Sequence, residues 1–299
     1  MKLEFTKMEG LGNDYIYVDA ARFPIADPAA LSVRLSDRHF SVGGDGLVMI
    51  GPSDCADFSM RMFNADGSEG MMCGNAARCI GKYVYEKGLT ASREISLETR
   101  SGIKKLSLHL GADGKVESVT VGMGGFVIER RNLELEAAGS VFRGTVVNVG
   151  NPHFVVFCED AEAVDLPTVG PVIERHPLFP DRINVEFASV MPGRPSVIHG
   201  RPSVMPGRPS VMPGLTGHLR MRVWERGSGI TMACGTGACA TAAAAVTAGI
   251  VSSPCTLVMD GGELQVACQD GTLQMTGPAR ISFEGVVEYS PSLANVQRC

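Results

Sequence analysis

Short apolar runs separated by turn residues dominate the first part of the chain. Runs at residues 2–8, 15–19, 47–50 and 58–63 have the length of β-strands and are bounded by glycine, asparagine or aspartate. A meander of three more strands is predicted at residues 94–99, 103–110 and 115–121. Because strands of this kind follow one another through tight turns, we expect mostly antiparallel pairing.

Helices are predicted at three places. Residues 28–38 read as a short helix, with Asp27 as the N-cap and a proline at the first position. Two longer, alanine-rich helices are expected at about residues 74–87 and 235–248. Each of these is followed by a glycine, the residue that most often ends a helix.

The chain repeats its own pattern. Cys73 and Cys234 each stand before a glycine at the start of a long helix, and an arginine lies twelve residues upstream of each, Arg61 and Arg222 (234 − 73 = 161; 222 − 61 = 161). Earlier motifs repeat at a shorter offset, as Asn13 and Asn151 do (151 − 13 = 138). We therefore predict an α/β (α+β) fold of two pseudo-symmetric halves, each a mostly antiparallel sheet wrapped around a central helix, with the active site in the cleft between them.

The predicted domains follow this duplication. The N-terminal half covers residues 1–127 and carries Cys73, with residues of about 281–299 packing back on it, and the C-terminal half covers 128–280. The offset grows because a seven-residue repeat, SVMPGRP, occupies residues 189–214. Its prolines exclude a helix or a central strand, so we expect an extended or disordered loop at a hairpin tip. A tolerated expansion and a proline-rich ligand for a partner both remain open.

Composition narrows the class of protein. Hydrophobic residues make up 44% and charged residues 20%, with a net charge of −5 and no basic cluster, so we expect no nucleic-acid partner. An apolar run of about 18 residues is missing, and Met1–Phe5 does not begin a signal peptide, so we expect no membrane and a cytoplasmic protein. Nine cysteines without C-x-x-C spacing indicate free thiols and predict no metal site.

A cysteine at a helix start suits acid–base chemistry. The free N–H groups and the helix dipole favour the thiolate, so we expect the pKa of Cys73 and of Cys234 to fall below the ordinary value of about 8.5. The same N–H groups bind a carboxylate. Two such sites that face each other would let one thiolate remove the α-proton of an amino acid while the opposite thiol returns a proton on the other face, which inverts the stereocentre.

Other interpretations of the two cysteines stay open at this point. They could be buried structural residues or form a redox disulfide. A cysteine acyl-transfer site would need one nucleophile with a His/Asn pair and would not explain the second cysteine in a matched context. A metal site that pairs either cysteine with its neighbour, Cys79 or Cys239, has spacings that do not match common ligand pairs.

Six motifs resemble the signature of the diaminopimelate epimerase family. They cover essentially the whole chain outside the repeat and the last ten residues, and they are GLGND at 10–14, NADGS with CGNAAR at 64–78, GNPH at 150–153, RINVEF at 182–187, WERGSG at 224–229 and ACGTGA at 233–238. The resemblance implies a homodimeric epimerase without a cofactor, which interconverts LL- and meso-2,6-diaminopimelate for lysine and peptidoglycan synthesis. It implies that Cys73 donates and Cys234 accepts a proton in the LL-to-meso direction, with His153 and Glu225 tuning the thiols.

The resemblance also implies a set of substrate contacts that suits two ammonium and two carboxylate groups. These residues are Asn13, Asn64, Gly74, Asn75, Asn151, Asn184, Glu225, Arg226, Gly235 and Thr236. Asparagines donate and accept hydrogen bonds, Arg226 can pair a distal carboxylate with two bonds, and the two helix starts hold the reacting carboxylate. Some family members carry glutamine at the position of Gly46, a side-chain contact that this chain lacks.

Two rival functions remain open from the sequence. One is a racemase of another amino acid, such as histidine, on the same fold. The other is a non-catalytic or isomerase-like binding protein of the related phenazine-biosynthesis type. The presence of both cysteines argues against the second. Mutation of either cysteine discriminates the two, because a binding protein of this type would function unchanged.

Overall fold

The computed structural model describes residues 2–191 and 216–289. These residues form a mixed α/β fold, mostly strands with four helices, which confirms the predicted fold class. They divide into two compact units. The first unit comprises the chain up to Gly122 together with the chain from Thr276 onward, and the second comprises Met123–Met275.

The elements alternate strands with a few helices in both units. The chain begins with β1 (Lys2–Gly10), β2 (Asn13–Asp19), α1 (Pro28–Ser36), β3 (Gly46–Gly51), β4 (Phe58–Asn64), β5 (Glu69–Gly70), α2 (Gly74–Glu86), β6 (Glu94–Thr99), β7 (Gly102–Leu110) and β8 (Val116–Gly125). It continues with β9 (Val127–Ala137), β10 (Ser140–Asn148), β11 (Pro152–Phe157), α3 (Leu166–Glu174), β12 (Asn184–Val190), β13 (Thr216–Glu225), β14 (Gly229–Ile230), α4 (Gly235–Thr247), β15 (Ser252–Met259), β16 (Gly262–Gln269) and β17 (Thr272–Pro278). The last strand is β18 (Arg280–Glu288).

Strand β1 is the centre of the first unit. It pairs antiparallel with β2 on one side and with β18 on the other. Strand β2 runs parallel to β3, where Tyr15 pairs with Gly46, and β3 runs antiparallel to β4, where Gly46 pairs with Asn64. Strands β6, β7 and β8 form the predicted antiparallel meander. Helix α2 packs against β1 and β7, so its first turn is fixed by the same strand that leads into Asn13.

The second unit repeats this order of pairing. Strand β11 runs parallel to β12, where His153 pairs with Asn184, and β12 runs antiparallel to β13. His153 follows Tyr15 by 138 residues, and Asn184 follows Gly46 by the same interval, so the two parallel pairs share one register. Helix α4 packs against β10 to β13 and against β15 and β16. The duplication in the sequence is therefore a duplication of strand pairing.

Helices α2 and α4 have the same length and the same boundaries relative to the repeated motif. Each has 13 residues and begins at the glycine after the cysteine. Each ends in a cap residue, Lys87 or Ala248, followed by a glycine with φ of 71° at Gly88 and 70° at Gly249. That left-handed conformation favours glycine and stops the helix. The predicted helices were one residue too long because they included the caps.

Each unit has its own hydrophobic core beneath its short helix. In the first unit, Leu31 and Leu35 of α1 pack with apolar residues of β1 to β4, such as Leu47. In the second unit, α3 supplies Leu166, Val169 and Ile173, which pack on Phe154 and Phe187 of the strands. Burying one such side chain contributes about 1.5–3 kcal/mol, so these clusters are sufficient to hold each sheet against its helix.

Helix α3 and the two strands of the β9–β10 hairpin were not predicted from the sequence. Helix α3 lies 138 residues after α1, so the same offset that related the asparagines would have located it. Pro171 inside the helix obscured the pattern. The hairpin of β9 and β10 is long and largely exposed, with a turn at Ala138 and Gly139, both at positive φ. Leu133, Leu135 and Ala137 of β9 alternate with glutamates, a pattern typical of a strand, so this strand was predictable from the sequence.

The repeat at 189–214 begins where β12 ends. Val190 of β12 pairs with Leu219 of β13, and the backbone N–H of Met191 donates to the carbonyl oxygen of His218 at 2.9 Å. The loop predicted for the repeat lies outside the described residues, apart from its first three positions. In the part of the chain that the structure describes, no helix is long and apolar enough to cross a membrane.

Candidate active site

Cys73 is the N-cap of α2. Its backbone is extended, with φ −130° and ψ 123°, and its thiol is partly exposed. The Sγ atom donates to Oδ1 of Asn13, 3.4 Å away, at the start of β2. The amide of Asn13 is in turn oriented by Asp45, whose Oδ2 accepts from Asn13 Nδ2 at 2.8 Å. The structure thus brings together a predicted thiol and a predicted substrate contact, and we name Cys73, Asn13 and Asp45 the Cys73 cluster.

A charged network lies behind the Cys73 cluster. Arg38 contacts both Asp14 and Asp45, and the Nζ of buried Lys7 lies 2.7 Å from Oδ2 of Asp14 and donates to the carbonyl oxygen of Gly43. Burial alone would raise the pKa of Asp14, but the bonds from Arg38 and Lys7 hold it below its ordinary value. Asp14 is therefore a carboxylate at neutral pH, and the network fixes the strand that presents Asn13.

Two other predicted contacts of the first unit have different surroundings. Asn64 ends β4, and its Nδ2 donates to Oγ of Ser68 at 2.9 Å, so its amide closes the turn that follows. Asn75 is buried in the first turn of α2 beside Gly74, and its Oδ1 has no hydrogen-bond partner among the described residues. A buried carbonyl oxygen without a partner is costly, which makes Asn75 available to a ligand.

Cys234 is the N-cap of α4 and has nearly the same backbone, with φ −123° and ψ 111°. Its side chain is only 5% exposed. The Sγ atom accepts from the N–H of Gly237 at 3.4 Å and lies 3.5 Å from Oγ1 of Thr236. Thr236 also accepts a hydrogen bond from Asn151 Nδ2 at 3.4 Å, so three predicted residues converge on this helix start.

The pKa of Cys234 is shifted upward, whereas the sequence predicted a downward shift. Burial raises the pKa of this thiol well above its ordinary value, and the nearby carboxylates of Glu225 and Glu186 raise it further. The hydrogen bonds from Thr236 and Gly237 act in the other direction and are outweighed. The prediction that the helix start lowers the pKa of Cys234 is therefore wrong for the free protein, in which this residue is a thiol at neutral pH.

Glu225, Arg226 and Asn184 meet at the ends of β12 and β13. Oδ1 of Asn184 accepts from the backbone N–H of Arg226 at 3.0 Å, and its Nδ2 donates to the carbonyl oxygen of Pro152 at 2.9 Å. Glu225 accepts from Oγ1 of Thr231 at 2.5 Å. The guanidinium of Arg226 is exposed and donates to the carbonyl oxygen of Asp181 at 2.9 Å. The side chain of Asn184 thus links the start of β11 to the end of β13, and the guanidinium of Arg226 remains accessible to an anion.

His153 forms a buried pair with a residue to which the sequence analysis gave no role. Nδ1 of His153 lies 2.6 Å from Oε1 of Glu186, and both side chains are fully buried. Glu186 belongs to the motif at 182–187, where only its neighbour Asn184 was singled out. Alternation on β12 places Glu186 on the polar face with Asn184, opposite to Val185 and Phe187, and so predicts an exposed side chain. The structure buries both faces of this strand, and a buried carboxylate requires a partner. We name Cys234, Gly237, Glu225, Glu186 and His153 the Cys234 cluster.

Asp45 is the second functional candidate that the sequence analysis missed. It lies in the glycine-rich turn at 43–46, where turn chemistry explains an aspartate without any further role. Only the contact with Asn13 shows what it orients. In residues 2–191 and 216–289, no group of three or more His, Cys, Asp or Glu side chains is placed to hold a metal ion.

The architecture is shared with solved structures of other proteins. A phenazine biosynthesis protein of the PhzF family from Bacillus anthracis has a TM-score of 0.69 at 14% identity and covers 97% of this chain and 100% of its own. A hydroxyproline epimerase from Agrobacterium vitis has a TM-score of 0.63 at 17% identity, with 96% and 91% covered. At these identities the likeness defines the fold alone: two related α/β units, each with a long helix.

Sequence comparison defines the family. The family model described as diaminopimelate epimerase matches residues 5–128 and 145–282. The diaminopimelate epimerase of Bacteroides thetaiotaomicron is 51% identical over 293 residues, covering 96% of this chain and 98% of that protein. That of Acetivibrio thermocellus is 42% identical over 302 residues, with 96% and 99% covered. The chain belongs to the diaminopimelate epimerase family.

Proposed function

We propose that the protein is a two-base epimerase that interconverts LL- and meso-2,6-diaminopimelate without a cofactor. The observation that carries the proposal is the pair of matched helix starts, in which Cys73 and Cys234 are N-caps of equivalent 13-residue helices. The family of the chain, and relatives that are 51% and 42% identical and named diaminopimelate epimerase, support the choice of substrate.

In the proposed reaction, the two helix starts bind the carboxylate next to the reacting carbon. Backbone N–H groups at Gly74, Asn75, Gly235 and Thr236 would donate hydrogen bonds to that carboxylate and stabilise the negative charge that develops on it as the α-proton leaves. The C–H bond breaks and its proton passes to one sulfur, while the other sulfur gives its proton to the opposite face of the carbon. Atoms and charge balance, and the thiol and thiolate exchange places.

By family resemblance, Cys234 accepts and Cys73 donates the proton in the LL-to-meso direction. The raised pKa of Cys234 means that the free protein holds a thiol there, so substrate binding must favour its deprotonation. A substrate ammonium beside Glu225 would offset the negative charge that raises the pKa of this thiol. We therefore propose that Glu225 links substrate binding to formation of the thiolate, and that His153 acts from the same cluster.

The remaining polar residues are proposed to hold the distal ammonium and carboxylate. Arg226 is exposed and can pair a carboxylate with two parallel hydrogen bonds. The asparagine side chains proposed to orient the ammonium groups are those of Asn13, Asn64, Asn151 and Asn184. Oδ1 of Asn151 is buried without a hydrogen-bond partner among the described residues, as is Oδ1 of Asn75, and each can accept from an ammonium group.

Proton NMR in D₂O tests the proposal directly. The reduced protein is incubated with LL-diaminopimelate and, separately, with histidine, glutamate and proline. We expect loss of the α-proton signal of diaminopimelate with appearance of the meso isomer, and loss of this conversion in both Cys73→Ala and Cys234→Ala. General acid–base groups contribute about 10²–10⁴-fold, so each single variant should fall by at least 10²-fold.

The controls separate the rival functions. Cys55→Ala removes an exposed thiol outside both clusters and should leave turnover unchanged. Exchange with histidine instead of diaminopimelate would keep the mechanism and replace the substrate. Absence of exchange with every amino acid, in protein that is folded and reduced, would reject the epimerase and favour a binding protein of the phenazine-biosynthesis type.

A homodimer and a cytoplasmic location are proposed from the family resemblance alone. Sedimentation velocity of the purified chain tests the first, and a monomer at micromolar concentration would reject it. Fractionation of cells that express the tagged chain tests the second.

A further inference from the structure

The buried carboxylate of Glu186 is the least expected group in the second unit. It lies on β12, paired in register with Val155 of β11, and its Oε1 is 2.6 Å from Nδ1 of His153. Both side chains have no exposed surface. Burying a carboxylate costs several kcal/mol unless a partner compensates it, so this pair needs a reason beyond packing.

Gly237 connects this pair to the helix start of Cys234. A Cβ atom at position 237 would lie 2.7 Å from Oε1 of Glu186 and 3.4 Å from Sγ of Cys234. The φ angle of Gly237 is not in the left-handed region, so its backbone would accept another residue. The glycine is required for space: it lets the carboxylate of Glu186 lie against the first turn of α4, next to the thiol.

The first unit shows that the fold does not need this arrangement. At an offset of 138, Tyr15 of β2 corresponds to His153 and Val48 of β3 corresponds to Glu186. The strand pairing is equivalent, because Val48 pairs with Tyr17 as Glu186 pairs with Val155. The residue that corresponds to Gly237 at an offset of 161 is Ala76, which is fully buried. The first unit thus combines Val48 on the strand with Ala76 in the helix, whereas the second combines Glu186 on the strand with Gly237 in the helix.

We propose that Glu186 is a positioning residue of the Cys234 cluster, which holds His153 through Nδ1 so that Nε2 is presented as a proton acceptor, and that Gly237 provides the space for it. The proposal deepens the proposed epimerase function and rests on it for its catalytic consequence. An ionised carboxylate only accepts hydrogen bonds, so Nδ1 beside it carries a proton, and in the neutral form of the ring Nε2 then keeps its lone pair. Nε2 is buried and has no partner among the described residues, which leaves it available to a ligand or to a proton in transfer.

The charges around this pair are few. Glu186 is contacted by His153 from β11 and influenced by Glu225 from β13, and both Glu186 and Glu225 act on Cys234 at the start of α4. Burial raises the pKa of Glu186, His153 acts to lower it, and Glu225 raises it. Removing the charge of Glu186 therefore lowers the pKa of Cys234 while leaving its other neighbours in place.

The first measurement needs no activity. In protein labelled with ¹⁵N-histidine, two-bond ¹H–¹⁵N correlation gives the tautomer of each neutral ring, with the His153 signal identified by its loss in His153→Gln. We expect the proton of wild-type His153 on Nδ1. A proton on Nε2 in the wild-type protein would overturn the proposal without any variant of Glu186.

The second measurement compares Glu186→Gln and Gly237→Ala with Glu162→Gln, which removes an exposed carboxylate of the same unit. We expect kcat to fall about tenfold or more in the first two variants, a smaller loss than the 10²–10⁴-fold of a group that itself transfers the proton, with KM for diaminopimelate within about twofold. Iodoacetamide alkylation of the Cys234 peptide should titrate at lower pH in Glu186→Gln, and the Cys73 peptide of the same molecule should not shift.

The outcomes distinguish this proposal from the function on which it rests. If wild-type protein does not turn over diaminopimelate, the proposed function fails, and the tautomer and alkylation readouts still test the positioning role. If folded Glu186→Gln retains wild-type kcat, alkylation profile and tautomer, the positioning role is overturned while the epimerase stands. If Glu186→Gln does not fold, Gly237→Ala decides, because it displaces the carboxylate and keeps every functional group.

Discussion

Cys73 and Cys234 begin equivalent helices with backbone angles that differ by no more than 12°, φ −130° and ψ 123° against φ −123° and ψ 111°. Around Cys73, a partly exposed thiol donates to the neutral amide of Asn13. Around Cys234, a buried thiol accepts from the backbone N–H of Gly237, with two carboxylates nearby. The same backbone therefore carries two different electrostatic environments, which fits the proposed reaction, in which one thiol gives a proton and the other takes one.

The carboxylates that distinguish the Cys234 cluster lie on the strands, and the helix makes room for one of them at Gly237. At the register position where the second unit has Asn184, the first unit has Gly46. Where the second unit has Glu186, the first has Val48, which is fully buried. The helix start sets where each sulfur lies, and the strand behind it sets how readily that sulfur gives up its proton.

The largest effect is expected from Glu225→Gln. The carboxylate raises the pKa of Cys234, so its removal should lower the pH at which the Cys234 peptide is alkylated. The same change removes the group proposed to link substrate binding to thiolate formation, and turnover should fall on the order of 100-fold. Cys73 serves as the internal control. Unchanged alkylation of Cys234 across pH 7–10 would show that Glu225 does not tune this thiol.

Gly46→Ala should destabilise the first unit more than Asn184→Ala, at the corresponding position, destabilises the second. A Cβ at position 46 would lie 2.0 Å from the carbonyl oxygen of Phe63, and the backbone of a paired strand cannot move aside. We expect a loss of roughly 3 kcal/mol in the free energy of unfolding, measured by urea denaturation. Asn184→Ala, which removes two hydrogen bonds, should cost only about 1–3 kcal/mol and should reduce activity. A fully stable Gly46→Ala protein would contradict the close pairing of β3 with β4 at this position.

Asp45→Ala should weaken substrate binding without removing any group proposed to touch the substrate. Asn13 would lose the acceptor of its Nδ2 and would no longer be held toward Cys73. The loss of one such bond, about 1 kcal/mol, corresponds to a rise in KM of roughly 5-fold to 10-fold. Asp54→Ala, an exposed aspartate of the same unit, is the matched control. Equal KM values for the two variants would remove Asp45 from the Cys73 cluster.

Removal of residues 196–209, two whole repeat units, should have the smallest effect. The chain enters this segment beyond the Val190–Leu219 pair, about six residues along the ladder from Glu225, or about 20 Å. We expect kcat to stay within about twofold of the full-length value, because loop length enters stability only logarithmically. A drop of tenfold or more in the steady-state assay would show that the repeat acts on the Cys234 cluster.

Sequence reasoning located the parts of the fold that depend on local pattern. The starts of both long helices, their glycine stops and the duplicated motifs around Asn13 and Asn151 follow from residue types at fixed spacing. The short helix α3 was missed because Pro171 lies inside it, although its position relative to α1 was implied by the repeat offset. Local signals and long-range repeats are separate sources of information. The repeat offset related the motifs of the two units, and it also relates α3 to α1.

The protonation state of the site was not accessible in the same way. A helix start favours a thiolate, and that effect is visible in the sequence, but the burial of Cys234 and the approach of Glu186 depend on how β12 packs on α4. The roles of Asp45 and Glu186 likewise arise from contacts more than thirty positions apart along the chain. Residue type predicted the two cysteines at the helix starts, and packing determined the sign of the pKa shift of Cys234.

The far end of the antiparallel pair β12–β13 is a suitable place to attach a second protein module. Its two strands leave the sheet side by side at Val190 and Leu219, at the end opposite to Asn184 and Glu225. Neighbouring strand ends lie about 5 Å apart, a spacing that also fits the paired termini of many small domains. A fluorescent or affinity module could therefore be inserted in place of the repeat, which would make this end of the ladder an attachment point for reporters.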